Sequence, residues 1–383
     1  MREKKCSQAA ECSVNGIHVC DLLKEGLKAM FGYDRSGVEK RTGHVSQIGG
    51  LKPYTLTDGR AAGMRAVDFR TTRGLEFTVL LDRGMDISEA RYKGMSLCWR
   101  SCAGDAAPAY YDPRGLEWLW TFFGGLLTTC GLTQVGAPTT DEGEELGLHG
   151  RISCAPAEKV SYFEEWSGDG LEMKVSGVVR EARLFGPHLE MYRTISARGD
   201  GAGLVLRDRI VNAGARPAPC MLLYHINAGF PLLSESAELI LPTTKAEPRD
   251  AEAEKGKEDF AKIHAPVTGY QEKVYFHTMK AGNDGRVTAA LINRRLNGGV
   301  GLKLRYQSSE LPCFTQWKML GDREYVMGME PGNCLPMGRA VERADGRLVI
   351  LEVEQEINAG FELEVVEGED DLNSLAREAA VGA

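Results

Sequence analysis

The fold is decided by residues 171–210, LEMKVSGVVREARLFGPHLEMYRTISARGDGAGLVLRDRI, where short runs of apolar residues alternate with polar ones. Residues 171–175 and 204–210 alternate cleanly, which is the pattern of a half-buried strand. Glycine, proline and aspartate lie between the runs, and these residues favour turns. The stretch therefore predicts several strands in succession, joined by turns.

The same pattern continues along most of the chain. Further predicted strands cover residues 76–81, 219–227, 287–293, 300–306, 311–319, 325–330, 347–357 and 361–366. No long helical pattern occurs from 155 to 366, and strands that follow one another without helices form antiparallel sheets. We therefore expect an all-β protein built as a sandwich or a barrel.

Four segments depart from this pattern. Residues 112–130 form an aromatic run broken by glycine, which predicts a short helix that leads into a buried loop or strand. Residues 246–266 carry charges of both signs, which indicates a solvated excursion. Residues 21–30 and 372–380 have helical spacing. We predict an N-terminal appendage over 1–70, one β-sandwich over 71–368 and a C-terminal tail over 369–383.

Charge and composition exclude several classes of protein. The 383 residues include 46 Lys and Arg against 54 Asp and Glu, so the net charge is −8. An acidic chain without a basic block is a poor partner for nucleic acid or an anionic membrane. The longest apolar stretches, such as 219–226, are far shorter than the roughly 20 residues of a membrane span. The ten cysteines form no CxxC and no secretory signal is recognised, so we expect a cytoplasmic protein with reduced thiols.

The segment 219–227 places a histidine in an unusual setting. Side chains alternate along a strand, so the apolar residues at 220, 222, 224 and 226 share one face. Leu223, His225 and Asn227 then share the other face. That face indicates the wall of a polar cavity, whereas the alternative is a buried histidine that bonds to nearby backbone.

Two further residues are candidates for the same chemistry. His149 is followed by Gly150, and a glycine allows a ligand to approach the backbone closely. Glu330 ends an apolar strand before Pro331, and burial would raise its pKa into the range of a general base. In the alternative interpretation His149 lies exposed in its turn and Glu330 faces solvent.

The segment 311–318 offers two pairs of side chains for a polyhydroxy ligand. Thr315 and Trp317 share one face, and Gln316 and Lys318 share the other. Aromatic rings stack on sugars and amides bond to hydroxyls. Trp317 could equally be a core residue of a half-buried strand.

The segment 81–87 places Asp82 and Asp86 around Arg83 in a glycine turn. Two interpretations stay open at this point: a cluster of ion pairs that shapes a corner, or an arginine presented to a ligand.

Taken in order, these motifs resemble the aldose 1-epimerase (galactose mutarotase-like) superfamily, and most closely its poorly characterised aldose-epimerase-like branch. The segments that carry the resemblance are 81–87, 124–132, 148–151, 224–231, 314–317 and 329–331. The resemblance spans roughly 70–366, and the order and spacing of the motifs make it more specific for the fold than for the substrate.

The resemblance implies a large antiparallel β-supersandwich with a sugar site on its concave sheet. It implies a mutarotase, which interconverts the α and β anomers of a free hexose or hexose derivative by opening the ring. Glu330 resembles the base that takes the proton from the C1 hydroxyl, and His225 resembles the acid that protonates the ring oxygen. His149 resembles a second, substrate-holding histidine. This chemistry implies no metal and no cofactor.

We further interpret Arg83, Asn227, Gln316, Trp317 and Lys318 as substrate-binding residues. The expected partner is a small-molecule sugar, with no nucleic acid and no membrane, and with a homodimer as a possible assembly. Two alternatives remain. One is a metal-dependent sugar isomerase or lyase that uses His149, His225 and Glu330 as ligands. The other is a non-catalytic carbohydrate-binding sandwich.

Overall fold

The structure is a computed structural model that describes residues 31–381. The helix predicted over 21–30 lies outside these residues. The strands, in chain order, are β1 (Gly50–Thr55), β2 (Arg65–Arg70), β3 (Leu75–Leu80), β4 (Asp86–Tyr92), β5 (Met95–Ser96), β6 (Leu127–Leu132), β7 (Thr139–Asp141), β8 (Glu144–Leu146), β9 (Ala157–Ser167), β10 (Gly170–Ala182), β11 (His188–Arg198), β12 (Gly203–Asn212), β13 (Ala218–Gly229), β14 (Ala237–Ile240), β15 (Thr243–Pro248), β16 (Lys273–Met279), β17 (Arg286–Asn293), β18 (Val300–Gln307), β19 (Cys313–Leu320), β20 (Tyr325–Gly332), β21 (Val349–Leu351) and β22 (Glu356–Glu367).

Helices are short and few within the described residues. The α-helices are α1 (Arg35–Glu39), α2 (Ala251–Glu254), α3 (Arg339–Ala344) and α4 (Glu369–Val381), and the 3₁₀ turns are Val45–Gln47, Gly59–Ala61, Pro108–Tyr110, Glu117–Thr121, Ile152–Cys154 and Lys257–Asp259. The longest, α4, has 13 residues, and none of these helices has the length and apolarity of a bilayer crossing.

Two large antiparallel sheets form the body of the protein. The 12-stranded sheet has the order β1-β2-β3-β4-β6-β13-β20-β19-β16-β15, with β5 beside β4 and β21 beside β13. The 8-stranded sheet has the order β14-β17-β18-β22-β12-β11-β10-β9. Strands β11 and β12 alternate between buried and partly exposed residues along their length, as a sheet with one face in the core requires. The predicted all-β sandwich is confirmed.

The main core lies between the two sheets. Phe77 and Ile87 of the larger sheet and Met191, Leu206 and Phe361 of the smaller one belong to one continuous apolar cluster. Burying such side chains is the main favourable contribution to folding, at roughly 1.5–3 kcal/mol for each. Because this core covers only one face of the larger sheet, the opposite face is available for a site.

A buried cluster of charges crosses this core. The Arg193 guanidinium of β11 contacts Asp208 of β12 at 2.7 Å and Asp86 of β4 at 2.9 Å, and all three side chains are buried. The Tyr224 hydroxyl of β13 donates to the same Asp208 carboxylate, and Thr129 of β6 donates to Asp86 from its backbone N–H and its hydroxyl. The cluster ties both sheets together directly behind β13 and β6.

The larger sheet begins earlier in the chain than the predicted β-sandwich, and one predicted strand is interrupted by a turn. Strands β1 and β2 belong to the larger sheet, so this sheet includes residues from Gly50 onward within the predicted appendage 1–70. The division of the chain at 71 and 369 remains a prediction. The strand predicted over 347–357 is wrong, because a turn at 352–355 with Glu354 at φ 65° separates β21 from β22.

The other segments behave largely as predicted. Residues 112–130 form the 3₁₀ turn Glu117–Thr121 and then β6. Helix α4 confirms the helical pattern of 372–380, and its Leu372 and Leu375 pack on Ile292 of β17. The segment 246–266 is less solvated than its charges predict, because Ala253 and Ile263 are buried against the sheet.

Candidate active site

Strand β13 supplies the first residue of the site. Its apolar residues Cys220, Leu222, Tyr224 and Ile226 lie in the core between the sheets. His225 therefore points to the opposite face, because side chains alternate along a strand. This is the arrangement that the sequence predicts.

Strand β20 pairs with β13 and brings Glu330 to the same place. Met327 and Met329 point into the core, so Glu330 lies on the face that carries His225. Glu330 Oε1 lies 3.3 Å from His225 Nε2, and the two residues are 2% and 6% exposed. We call these two residues the acid–base pair.

A glycine makes room for the Glu330 carboxylate. Gly328 precedes Glu330 by two residues and so lies on the same face of β20. A Cβ atom at this position would lie 2.3 Å from Glu330 Oε1 and 2.8 Å from Trp317 Cβ. Only glycine allows the carboxylate to occupy its observed position, beside the backbone of its own strand.

His149 approaches the pair from a loop. Its backbone has φ 57°, and its imidazole lies 5.9 Å from that of His225, measured between ring centroids. His149 Nδ1 accepts a hydrogen bond from the Gly136 N–H at 3.3 Å. The neutral ring therefore carries its proton on Nε2, as a hydrogen-bond donor.

Four aromatic side chains surround the two histidines. The rings of Phe122 and Trp317 lie 5.3 and 5.2 Å from the His225 ring, and the Trp118 ring lies 4.8 Å from that of His149. Trp99 completes the set, 5.9 Å from Trp317. Trp118 and Phe122 are buried, whereas Trp99 and Trp317 are partly exposed. We call these four residues the aromatic wall.

Burial controls the protonation of the pair. It lowers the pKa of His225 to about 4 and that of His149 to about 3, where repulsion by His225 is the second cause. Burial also raises the pKa of Glu330 well above its usual range; the Glu272 carboxylate adds to this rise and Arg249 opposes it. Burial therefore favours the neutral forms of both imidazoles and of the Glu330 carboxyl.

Several polar atoms in this region are available for a ligand. Within residues 31–381, His225 Nδ1, Glu330 Oε1, Asn227 Oδ1 and Thr315 Oγ1 are buried without a hydrogen-bond partner. Thr315 is the cross-strand neighbour of Glu330, and Asn227 lies on the same face of β13 as His225. Buried polar groups normally have partners, so this concentration indicates a place where hydroxyl groups bind.

The three residues of β19 that the sequence predicted to bind substrate lie on two different faces of the strand. Trp317 belongs to the aromatic wall. Gln316 and Lys318 point to the other face, where Gln316 Nε2 donates to the Phe260 carbonyl at 2.8 Å and Lys318 Nζ donates to the Asp259 carbonyl at 2.7 Å. Their interpretation as substrate-binding residues is corrected, because both hold the segment that follows α2.

Arg83 is also corrected. Its buried guanidinium donates to the carbonyl oxygens of Ser153, Ala106 and Thr121 at 2.7–2.9 Å. All three nitrogens thus bond to backbone, and the side chain holds three loops together. The neighbouring Asp82 instead pairs with Arg65 at 2.5 Å.

Sequence reasoning missed Trp99, Trp118, Phe122 and Gly328 as site residues. Trp118 and Phe122 are four residues apart in the aromatic run, a spacing that indicates a shared face. No group of three or more His, Cys, Asp or Glu side chains in the described part of the chain is arranged to hold a metal ion.

Comparison with known proteins places this geometry in context. The sequence matches the family described as Domain of unknown function (DUF4432) over residues 61–365. No curated protein matches the sequence. Among solved structures, the chain is similar to a protein of Klebsiella pneumoniae that is provisionally named an aldose 1-epimerase, with TM-score 0.81 and 22% identity over 87% of this chain and 88% of that chain.

Two more solved structures share the fold at lower similarity. A galactose mutarotase-like protein from Clostridium acetobutylicum has TM-score 0.58 and 13% identity, over 84% of this chain and 99% of that chain. A galactose 1-epimerase from Lactobacillus acidophilus has TM-score 0.50 and 11% identity, over 83% of this chain and 99% of that chain. These similarities confirm the predicted galactose mutarotase-like sandwich as the fold of this chain.

Proposed function

The chain belongs to the DUF4432 family, a domain of unknown function, and we propose that it is a cofactor-independent aldose 1-epimerase. In this proposal it interconverts the α and β anomers of a free hexose or hexose derivative. The observation that carries the proposal is the 3.3 Å contact between Glu330 and His225, within a group of unpartnered polar atoms.

Mutarotation needs one proton acceptor and one donor on the same side of a sugar ring. Ring opening removes a proton from the C1 hydroxyl, breaks the bond between C1 and the ring oxygen, and delivers a proton to that oxygen. Rotation about the C1–C2 bond followed by closure gives the other anomer. Two groups that share a single proton supply both functions without a change in their total charge.

We assign the base to Glu330 and the acid to His225. Burial favours the neutral carboxyl of Glu330 and the neutral imidazole of His225, so in this proposal a proton first passes from Glu330 to His225 across their 3.3 Å contact. Opening then leaves the proton from C1 on Glu330 and a neutral His225. This is the favoured state of the empty pair, and the same groups reverse their roles for closure.

The surrounding residues suit a sugar. The aromatic wall offers apolar rings on which the C–H face of a pyranose can stack. Asn227 Oδ1 and Thr315 Oγ1 can bond to hydroxyl groups, and His149 contributes a donor at Nε2. The sequence predicted that Arg83 and Lys318 bind substrate, but both cationic side chains bond to backbone carbonyls.

The test is anomer exchange, measured by exchange NMR on D-glucose, D-galactose, D-mannose, D-xylose and L-arabinose. Glu330→Gln should abolish the exchange, because an amide cannot accept the proton. Glutamine resembles the neutral carboxyl in shape and charge, so sugar binding should survive in a thermal-shift titration. The control is Glu310→Gln, since Glu310 is a partly buried glutamate that pairs with Arg207 instead of a histidine.

His225→Asn tests the other half of the pair. The exchange rate should fall about 10²- to 10⁴-fold, the usual effect of a lost general acid. If either variant exchanged anomers at the wild-type rate, the assigned roles would be wrong. A wild-type protein that bound a sugar without exchanging its anomers would instead support a carbohydrate-binding sandwich.

A further inference from the structure

Trp317 is oriented by two charged residues outside the acid–base pair. Its indole Nε1 donates to Glu272 Oε2 at 2.7 Å. The other oxygen of the same carboxylate, Oε1, accepts from Arg249 Nη2 at 2.9 Å. Both oxygens of Glu272 thus have a partner within the protein, and one of these partners belongs to the aromatic wall.

The two charged residues have a defined place in the fold. Arg249 and Glu272 are the first and last residues of the connection between β15 and β16. The Arg249 N–H donates to the Val274 carbonyl at 2.9 Å, and Val274 is the cross-strand neighbour of Trp317. Arg249 Nε also contacts Asp250 at 2.9 Å. The carboxylate is therefore held at the base of a long connection, next to the strand that carries the ring.

We propose that Glu272 is a positioning residue that holds the Trp317 indole against His225, with Arg249 orienting Glu272. The inference rests on the proposed function and extends it to the binding of the substrate. Because the indole N–H bonds to Glu272, Trp317 presents its apolar ring to the sugar rather than a hydrogen-bond donor. The Trp99 N–H similarly donates to the Arg323 carbonyl at 3.3 Å.

If Arg249 and Glu272 formed only an ordinary surface ion pair, removing Glu272 would leave substrate binding unchanged. The side chains of Arg249 and Glu272 are 30% and 46% exposed, and ion pairs at such positions contribute little to stability. If Glu272 acts through Trp317, its effect must appear in substrate binding. A ring without its anchor has to be ordered when the sugar binds, and this ordering weakens binding. Trp317 transfers no proton, so the loss of its anchor should change the chemical step little. The Glu272 charge also raises the pKa of Glu330, so any effect on kcat is attributed to the loss of that charge.

The experiment measures KM and kcat for anomer exchange on the best sugar of the panel. Glu272→Ala should raise KM about three- to tenfold, on the scale of one aromatic contact. Its kcat should lie within about twofold of that of Glu272→Gln, which removes the same negative charge from the neighbourhood of Glu330. Glu272→Gln retains an acceptor for the indole N–H and should restore KM. The control is Glu247→Ala, since Glu247 is similarly exposed on β15 but pairs with Lys245.

A double-mutant cycle separates this role from a general structural effect. Trp317→Phe keeps a ring but removes the N–H, so adding Glu272→Ala to it should raise KM no further. Additive effects on KM, or an unchanged KM in Glu272→Ala, would overturn the inference while leaving the epimerase proposal intact. A wild-type protein without exchange on any sugar would overturn the epimerase proposal and the inference with it.

Discussion

Gly328→Ala adds one methyl group beside the acid–base pair, and the distances from that group to its neighbours predict its effect on catalysis. The added Cβ would lie 2.3 Å from Glu330 Oε1, whereas ordinary van der Waals contact begins near 3.4 Å. The Cβ of Trp317, at 2.8 Å, closes the direction toward β19. The carboxylate oxygen must therefore move by about 1 Å from its observed position, 3.3 Å from His225 Nε2.

A displacement of about 1 Å at a reacting group lowers catalysis by roughly 10²-fold. We expect this loss in kcat for anomer exchange, which corresponds to about 2.7 kcal/mol in the activation free energy. The methyl group also overpacks a buried position, and overpacking costs about 1–3 kcal/mol of folding stability. Rates should therefore be measured well below the unfolding midpoint of the variant.

The assay compares kcat and thermal unfolding for wild type, Gly328→Ala and Gly43→Ala. Gly43 is a matched control, because a Cβ there meets nothing within 4 Å and its backbone lies outside the left-handed region. Gly43→Ala should resemble wild type in both measurements. A folded Gly328→Ala protein with wild-type kcat would refute the reasoning, since Glu330 could then not depend on the observed geometry.

Three more predictions concern stability and metals. Arg193→Met leaves two buried carboxylates without their cation and should lower the free energy of unfolding in urea by about 3–5 kcal/mol. Arg209→Met removes an exposed ion pair and should lower it by less than about 1 kcal/mol. Equal losses in the two variants would contradict this prediction. Burial lowers the pKa of His277 to about 4, so its stabilising contribution is present above pH 6.5 and is lost as the pH falls from 6.5 toward 4. The melting temperature of His277→Gln should therefore fall less over that range than that of wild type, and parallel curves would contradict this. Chelator treatment should leave anomer exchange unchanged, whereas a loss reversed by one metal would favour a metal-dependent isomerase.

Local sequence patterns predicted many of the strands, such as β17 and β18, and the face of β13 that carries His225. This succeeded because alternation along a strand needs no information from the rest of the fold. For Glu330 the pattern alone left both solvent and a pocket open. The pairing of β20 with β13 decides for the pocket, and pairing between distant strands cannot be read from either strand alone.

Arg83 shows where local reasoning fails. Its two neighbouring aspartates indicated ion pairs or a ligand, but the partners are carbonyl oxygens of Ala106, Thr121 and Ser153. Every residue has a carbonyl, so composition holds no signal for such contacts. Trp118 and Phe122 were missed as site residues for a related reason, since their spacing indicates a common face but not the histidines that this face meets.

Strand β13 carries reacting and core residues in alternate positions, which has a consequence for how the protein can change. Inserting or deleting one residue within the strand would exchange the two sets, turning His225 toward the core and Tyr224 toward the candidate site. Activity and stability would then be lost in the same step. Single replacements on the side that carries His225 leave the core residues in place. New substrates are therefore accessible to descendants of this protein by exchange of individual side chains, and closed to changes in the length of its central strands.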